Sequence, residues 1–437
     1  MLKLDRETIK AELPFLTESV RWVKRRKNEL SSLSRHLGRR KRQADNQIIN
    51  KGKIVVVFIC QYVPAWSKNR QLYETLKKDV RFKPYLLCVP DRVSGNHLRN
   101  PEDMSNDVYD YFNSRGYTDA INALIGRDEW YDLESLHPDY VIYNRYDRPM
   151  PVPYTSKSVS AYAKICLIMY GCALIKAADA MLDKPFAANT YCFFAESESK
   201  RKEFLRLNTV LAAVKLSRAE CCGIIAVENA FTAKNDPCNS WDFSANSFRA
   251  IYAPRWTLEP IWGGSSFFEY KDTFFEIADQ HPDIDILVRP HPLMFDHFVE
   301  TGLMTKEEVS EYRHNCEVRK NIKLDTEKEY QAAFWNSSVL ICDYTSMMIE
   351  YFVTGKPVIY LSYDENIKYT EQMDAMLQGS YIVKTESELK ETIYRLLNGN
   401  DPLAEKRRQI CDDVLIGSGN LSASENMKQI LIDGYRA

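Results

Sequence analysis

The chain has no Gly-x-x-x-x-Gly-Lys-Ser/Thr loop, no Gly-x-Gly-x-x-Gly and no His-Glu-x-x-His. ATPase, dinucleotide dehydrogenase and zinc-protease readings therefore have no anchor. No apolar run approaches the about 18 residues that a membrane-spanning helix needs, and no early stretch has signal-peptide character, so the expectation is a protein that stays in the cytoplasm. An excess of one charge is missing too: 58 basic and 60 acidic residues leave a formal net charge of -2. That balance excludes the polycation character of a general nucleic-acid binder, and no nucleic-acid partner is expected. The eleven cysteines lack paired, metal-type spacing. Cys60, Cys88, Cys166 and Cys342 sit inside apolar runs, as reduced core thiols do, and the adjacent Cys221 and Cys222 are poorly spaced for one zinc. No metal and no cofactor are expected.

What is present suffices for two domains of ordinary size: 437 residues, 45% of them hydrophobic. Charge is uneven at one place. Between Arg21 and Arg42 stand ten basic residues against the single acid Glu29, interleaved with Val23, Leu30, Leu33 and Leu37 near helical spacing. Residues 1–50 read as a basic amphipathic helical arm. It is either a solvated helix packed on the body or an anchor to an anionic membrane surface, to which each nearby basic residue would add about 1 kcal/mol.

The rest alternates strand and helix, the pattern of an α/β layer with parallel strands. Lys53 to Cys60 is a continuous β-branched run of the kind buried on both faces. A helix over 69–78 and a strand over 85–89 follow, with further strands expected at 140–143, 163–170, 191–194 and 224–227. These make a first Rossmann-like domain, residues 51–245. The second, 246–437, opens at Ile251-Tyr252-Ala253-Pro254. It continues with a helix at 267–279, a strand at 284–288, a helix at 306–313, strands at 339–342 and 358–361, and helices at 386–397 and 424–435. Ligands in such sheets bind at the carboxyl ends of the strands.

Two of those strand ends run straight into residues suited to phosphate. Ile284 to Val288 ends at Arg289-Pro290-His291-Pro292, where an imidazole held between prolines could give a hydrogen bond or proton to a diphosphate while the guanidinium neutralises it. Val339 to Cys342 ends at Asp343, with a helix expected to start near Thr345 and Ser346. The hydroxyls and N–H groups of that start could hold phosphate, or Thr345 and Ser346 could be an ordinary N-cap pair. Asp343 and Glu350 are candidates for ribose or base hydroxyls, although Glu350 could equally be a surface charge. Arg255 could reach the diphosphate or make a structural ion pair.

Arg289-Pro290-His291-Pro292, then Asp343-Tyr344-Thr345-Ser346, then Gly355-Lys356-Pro357-Val358, together with Tyr252-Ala253-Pro254, resemble in order the motifs of the CDP-glycerol glycerophosphotransferases that polymerise teichoic acids and capsular polymers. The resemblance covers the second half; Tyr140 to Tyr143 with Tyr146-Asp147, and Lys164 to Gly171, extend it more thinly into the first. It implies a GT-B-like fold, two Rossmann-like domains facing a cleft. It also implies transfer of glycerol phosphate from a CDP-linked polyol to a lipid-linked or polymer acceptor with release of CMP, on the inner face of the cell membrane. Arg289, His291, Arg255, Asp343, Thr345, Ser346 and Glu350 would serve the donor. The family places a histidine before glycine where this chain has Tyr170-Gly171, so the base is open and Asp147 is the substitute candidate. A nucleotide-sugar glycosyltransferase and a non-catalytic, membrane-associated assembly protein of the same fold are the alternatives.

Overall fold

The protein, seen in a computed structural model, is described for residues 14–436, apart from 92, 95–96, 99–102, 147–148, 173, 176–184, 244, 260–263, 363–366 and 417–418. It forms two compact units. One comprises Met1–Tyr170, Ala180–Gly223 and Ser424–Ala437; the other comprises Gly171–Asp179 and Ile224–Ala423. The division differs from the expected cut at 245/246. The last helix, Ala423–Arg436, lies with the first unit, and so does the arm.

The first unit is built on seven parallel strands: β1 (Ile54–Cys60), β2 (Phe82–Cys88), β3 (Ala120–Asn122), β4 (Tyr140–Tyr143), β5 (Lys164–Ile168), β6 (Thr190–Ala195) and β7 (Arg218–Cys221). Their spatial order is β7-β6-β5-β4-β1-β2-β3. β1, β4 and β5 are buried along their whole length, which is why continuous apolar runs, and not alternating ones, encode them. The strand expected at 224–227 is instead the start of a helix, Ile225–Thr232. An apolar run of four residues cannot distinguish the two. The true seventh strand, Arg218-Ala219-Glu220-Cys221, is an edge strand, and its polar residues hide it from an apolar-run search.

The arm is a single helix from Pro14 to Ile49. Its buried face carries Glu29, Ser32, His36 and Arg39, at spacings of three and four that place them in one stripe. Glu29 accepts from the N–H groups of Val210 and Leu211. Arg35 donates to Asn189 Oδ1 at 2.7 Å and Ser160 Oγ at 3.2 Å. Arg39, buried beside the Tyr191 ring, points its guanidinium at the carbonyls of Ser160 and Ala163. Arg26 meets Thr209 and Arg42 meets Glu134. So four of the arm's basic residues dock it on the first unit.

The closing helix is fastened by Tyr140 Oη donating to Leu431 O at 2.7 Å and Lys164 Nζ to Gly434 O at 2.6 Å. Gly434 allows the approach: a Cβ there would lie 2.7 Å from Tyr140 Oη.

The second unit has six parallel strands, β8 (Phe248–Ala253), β9 (Ile284–Val288), β10 (Ile322–Leu324), β11 (Val339–Cys342), β12 (Val358–Leu361) and β13 (Tyr381–Val383), ordered β10-β9-β8-β11-β12-β13. Counted within the sheet this is 3-2-1-4-5-6, the Rossmann order, and ligands of such sheets sit where the order reverses, between the first and fourth strands. Here that point is between β8 and β11.

Candidate functional site

The register brings the expected residues to that reversal. Tyr252 pairs with Val288 and Ala253 with Cys342, so Arg255, Arg289 and Asp343 leave three adjacent strands at nearly the same level. Arg289 N–H donates to Tyr252 O and His291 N–H to Pro254 O, which carries the β8–β9 pairing past the strand ends and seats His291 beside the Pro254 turn.

Asp343 is fully buried. Its Oδ2 accepts from Ser266 N at 3.1 Å and Ser266 Oγ at 3.3 Å. Burial pushes its carboxyl up to about 6, opposed by the N–H groups of Arg255 and Ser266 and by the Arg255 charge. Ser266 stands at the N-cap position of the 14-residue helix Phe267–Gln280 without a side-chain capping bond, so the partial positive charge of that helix start faces Asp343. Arg255 donates to Tyr344 O at 3.0 Å with its guanidinium 4.8 Å from the Tyr344 ring centre. The backbone thus holds the cation next to the Asp343 turn.

Thr345 Oγ1 accepts from Met347 N–H at 3.3 Å, and the helix it opens, Met347–Phe352, has six residues. Thr345 is thus engaged in capping, one of its two expected readings, while Ser346 makes no side-chain capping bond. A Cβ on Gly171 would come 3.5 Å from Ser346 Oγ, and Leu174 N–H donates to Tyr344 Oη at 3.1 Å. Gly171 and Leu174, expected in the first domain, therefore lie on this turn.

Two side chains are placed otherwise than expected. Arg289 donates through Nη1 to the buried Asp325 at 2.6 Å and through Nη2 to Glu327 O at 2.7 Å, with its guanidinium 4.3 Å from the Tyr330 ring centre. Both terminal nitrogens are engaged by the protein, so it is a docked cation and not an open clamp. Glu350 is not a surface charge. It is fully buried and accepts from Tyr330 Oη at 3.0 Å and Gln331 Nε2 at 3.1 Å. Glu350 thereby fixes the ring on which Arg289 rests. Asp147 lies outside the described residues.

His291 Nδ1 accepts from Leu293 N–H at 3.2 Å. In the neutral ring the proton then sits on Nε2, which is left as a donor. Trp256 packs beside it, ring centres 6.1 Å apart.

Sequence reasoning missed Ser266, Asp325, Tyr330 and Trp256. A signal for the first existed in Gly263-Gly264-Ser265-Ser266 between a strand and a helix, the Rossmann position for a phosphate loop. Among the described residues no cluster could hold a metal ion.

Residues 249–428 match the family model described as CDP-Glycerol:Poly(glycerophosphate) glycerophosphotransferase. The match covers 180 of the chain's 437 residues. It spans the second unit's sheet with every candidate of the β8–β11 reversal. No curated protein matches the chain. Among solved structures, the wall teichoic acid polymerase TagF is similar at TM-score 0.57 and 14% identity, covering 94% of this chain and 98% of that one. A UDP-GlcNAc 2-epimerase from Neisseria meningitidis bound to UDP-GlcNAc is similar at 0.52 and 12%, covering 87% and 100%. At such identities these likenesses speak for the fold alone, α/β of GT-B type with two Rossmann-like units.

Proposed function

We propose that the protein is a glycerophosphotransferase that moves glycerol phosphate, or a related polyol phosphate, from a CDP-linked donor to a hydroxyl of a cell-wall or capsule polymer. The observation that carries this reading is the family match at 249–428, within which the strand reversal gathers Arg255, His291, Asp343 and two serine- and threonine-bearing turns. The acceptor oxygen attacks the phosphorus bearing glycerol, the bond from that phosphorus to the bridging diphosphate oxygen breaks, and CMP leaves with the electron pair.

Negative charge grows on the diphosphate, so catalysis rests on donors already aimed at it. His291 serves as a neutral hydrogen-bond donor through Nε2–H. Acting as a proton donor would require a proton on Nδ1, and so loss of the Leu293 bond. CMP needs no proton to leave at neutral pH, because the second phosphate pKa is about 6. Arg255, with Ser346 and the Ser265-Ser266 turn, is the cationic and hydroxyl-bearing part of the diphosphate site. Arg289, tied to Asp325, holds the His291 loop in place. Asp147 remains the proposed base for the acceptor hydroxyl.

The lipid-linked acceptor and the inner membrane face belong to the same proposal. Val23, Leu30 and Leu37, seven residues apart, are 60%, 60% and 52% exposed on an arm face about a third of a turn from the buried Glu29, Ser32 and His36. Lys24, Lys27 and Arg40 are exposed on the same helix. An apolar stripe flanked by cations suits an anionic bilayer surface.

The test is incubation of the full chain with CDP-glycerol and a glycerol-phosphate-ended acceptor. CMP release matched by acceptor extension is expected. Turnover of nucleotide sugars only, with CDP-glycerol inert, would overturn the reading.

A further inference from the structure

Asp343 has no step in the transfer chemistry, yet it stands at the β8–β11 reversal itself, and its side chain is 0% exposed. Only one of its two oxygens is served. Oδ2 takes both bonds from Ser266, while Oδ1 is buried and has no partner among the described residues. Negative charge on an oxygen with neither water nor a donor is costly, and a carboxyl escapes that cost by binding a proton there. Oδ1 is therefore the place for the proton. The neutral carboxyl still offers Oδ2 to Ser266 as an acceptor.

The surrounding groups separate Asp343 from other sources of titration. Burial puts its carboxyl at about 6, against the N–H groups of Arg255 and Ser266 and the Arg255 charge. Tyr252 on β8, Cys342 on β11 and Tyr360 on β12 each feel the Asp343 charge, and burial pushes all three up, so they stay neutral where the carboxyl titrates. A guanidinium does not titrate in this range, which sets aside Arg255 and Arg289 at the ends of β8 and β9. Glu269 stands in the first turn of the helix after Ser266, and Glu350, on the helix after Ser346, is taken up by Tyr330 and Gln331. His291 is the imidazole of the site and the rival acceptor for a proton.

A CDP-linked polyol brings a diphosphate whose two phosphates are both diesters, so it stays ionised between pH 5 and 8. One such charge at about 8 Å, in surroundings of effective dielectric about 20, raises a carboxyl by about 1.5 pH units. We propose that Asp343 is the proton-linked residue of the donor site: binding of the anionic donor draws a proton from the solvent onto Asp343 Oδ1, so that donor and carboxyl do not face each other as two anions. The identity and seat of the donor rest on the transferase reading. With Asp343 neutral, the partial positive charge at the start of the Phe267–Gln280 helix is no longer offset by a carboxylate and acts on the donor instead.

Calorimetry tests this on the full chain with CDP-glycerol and no acceptor, at pH 7 in Pipes and in Aces, two buffers of different ionisation enthalpy whose difference in heat measures proton uptake. Uptake of about half a proton or more per donor is expected, and affinity should fall about tenfold or more from pH 5.5 to pH 8. Asp343→Asn, which keeps an oxygen for Ser266 and cannot titrate, should show no uptake and a pH-independent affinity near the parent's acid value. His291→Gln should take up as many protons as the parent, and it keeps the test decisive if the asparagine variant does not fold. Binding without uptake in the parent, or uptake that persists in Asp343→Asn and disappears in His291→Gln, overturns the inference and leaves the donor reading standing. No binding of CDP-glycerol at any pH overturns the donor reading and the inference with it.

Discussion

At His291 the atom that matters for chemistry is Nδ1, because the Leu293 N–H directed into it fixes the other nitrogen as the donor. Truncation to alanine should lower kcat by about 10²-fold, the range for losing one preorganised donor, with little change in Tm. His291→Gln, which can still present an N–H, should recover part of that loss. If glutamine performs no better than alanine in steady-state assays, the ring is transferring a proton. Asp343 yields a pH prediction. Its folded pKa is raised to about 6 by burial, so the folded state binds more protons than the unfolded chain. The group's contribution to stability is fully present below its ordinary pKa of 3.8 and is lost as pH rises through about 6. Asp343→Asn should therefore gain Tm relative to the parent at pH 7.5 and gain less or nothing at pH 4. A difference independent of pH would mean that the carboxyl is not desolvated. The Asp343 effect could not be read from the sequence, because it depends on Ser266, a partner 77 positions away.

Elements were legible where burial is uniform. β1, β4, β11 and β12 are apolar throughout, β5 and β9 carry one charged residue each, Lys164 and Asp285, and the expected runs coincide with all six to within a residue or two. Short or polar edge pieces were not legible: β3, β7, β10 and β13 bury too little to leave a pattern, and Ile224 to Val227 left a misleading one. For the site, the sequence placed Arg255, Arg289, His291, Asp343, Thr345 and Ser346 at strand ends. It could not tell that Asp325 already engages Arg289 or that Glu350 faces inward, since both depend on tertiary partners. The arm shows the same division. Its periodicity was visible, but which face docks was not, and deletion of the arm would strip Arg35 and Arg39 from the first unit. Point changes on the outer face are the cleaner test. Val23→Glu, Leu30→Glu and Leu37→Glu together should weaken sedimentation with anionic vesicles at least tenfold and leave Tm within about 2 °C, as surface changes do. Equal binding of the parent to neutral and anionic vesicles at low salt would remove the membrane assignment.

Across the whole molecule, the chain passes between its two units at 170/171, near 179/180, at 223/224 and at 423/424, so the first unit is not a contiguous segment. Removing residues 424–437 should strip Met427, Leu431 and Ile432 from their buried positions, at about 1.5–3 kcal/mol for each side chain. It would also leave Lys164 Nζ and Tyr140 Oη without the carbonyls they serve. Hydrogen exchange should then show protection lost in β4, β5 and β6 and kept in β8 and β11. Equal loss in both sheets would mean that the helix supports the molecule in general and not the first unit.

The helix that ends at Arg436 also sets a schedule for synthesis. The first unit's strands leave the ribosome early, yet the segment that covers Tyr140, Lys164 and Tyr191 is translated only after the whole of the second unit. During that interval, about 10–40 s for the 200 residues from Ile224 to Ala423 at 5–20 residues per second, the nascent sheet carries an uncovered aromatic flank with a half-buried ammonium in it. A nascent chain in this state is a natural client for a chaperone, and it becomes self-sufficient only with its last turn of helix.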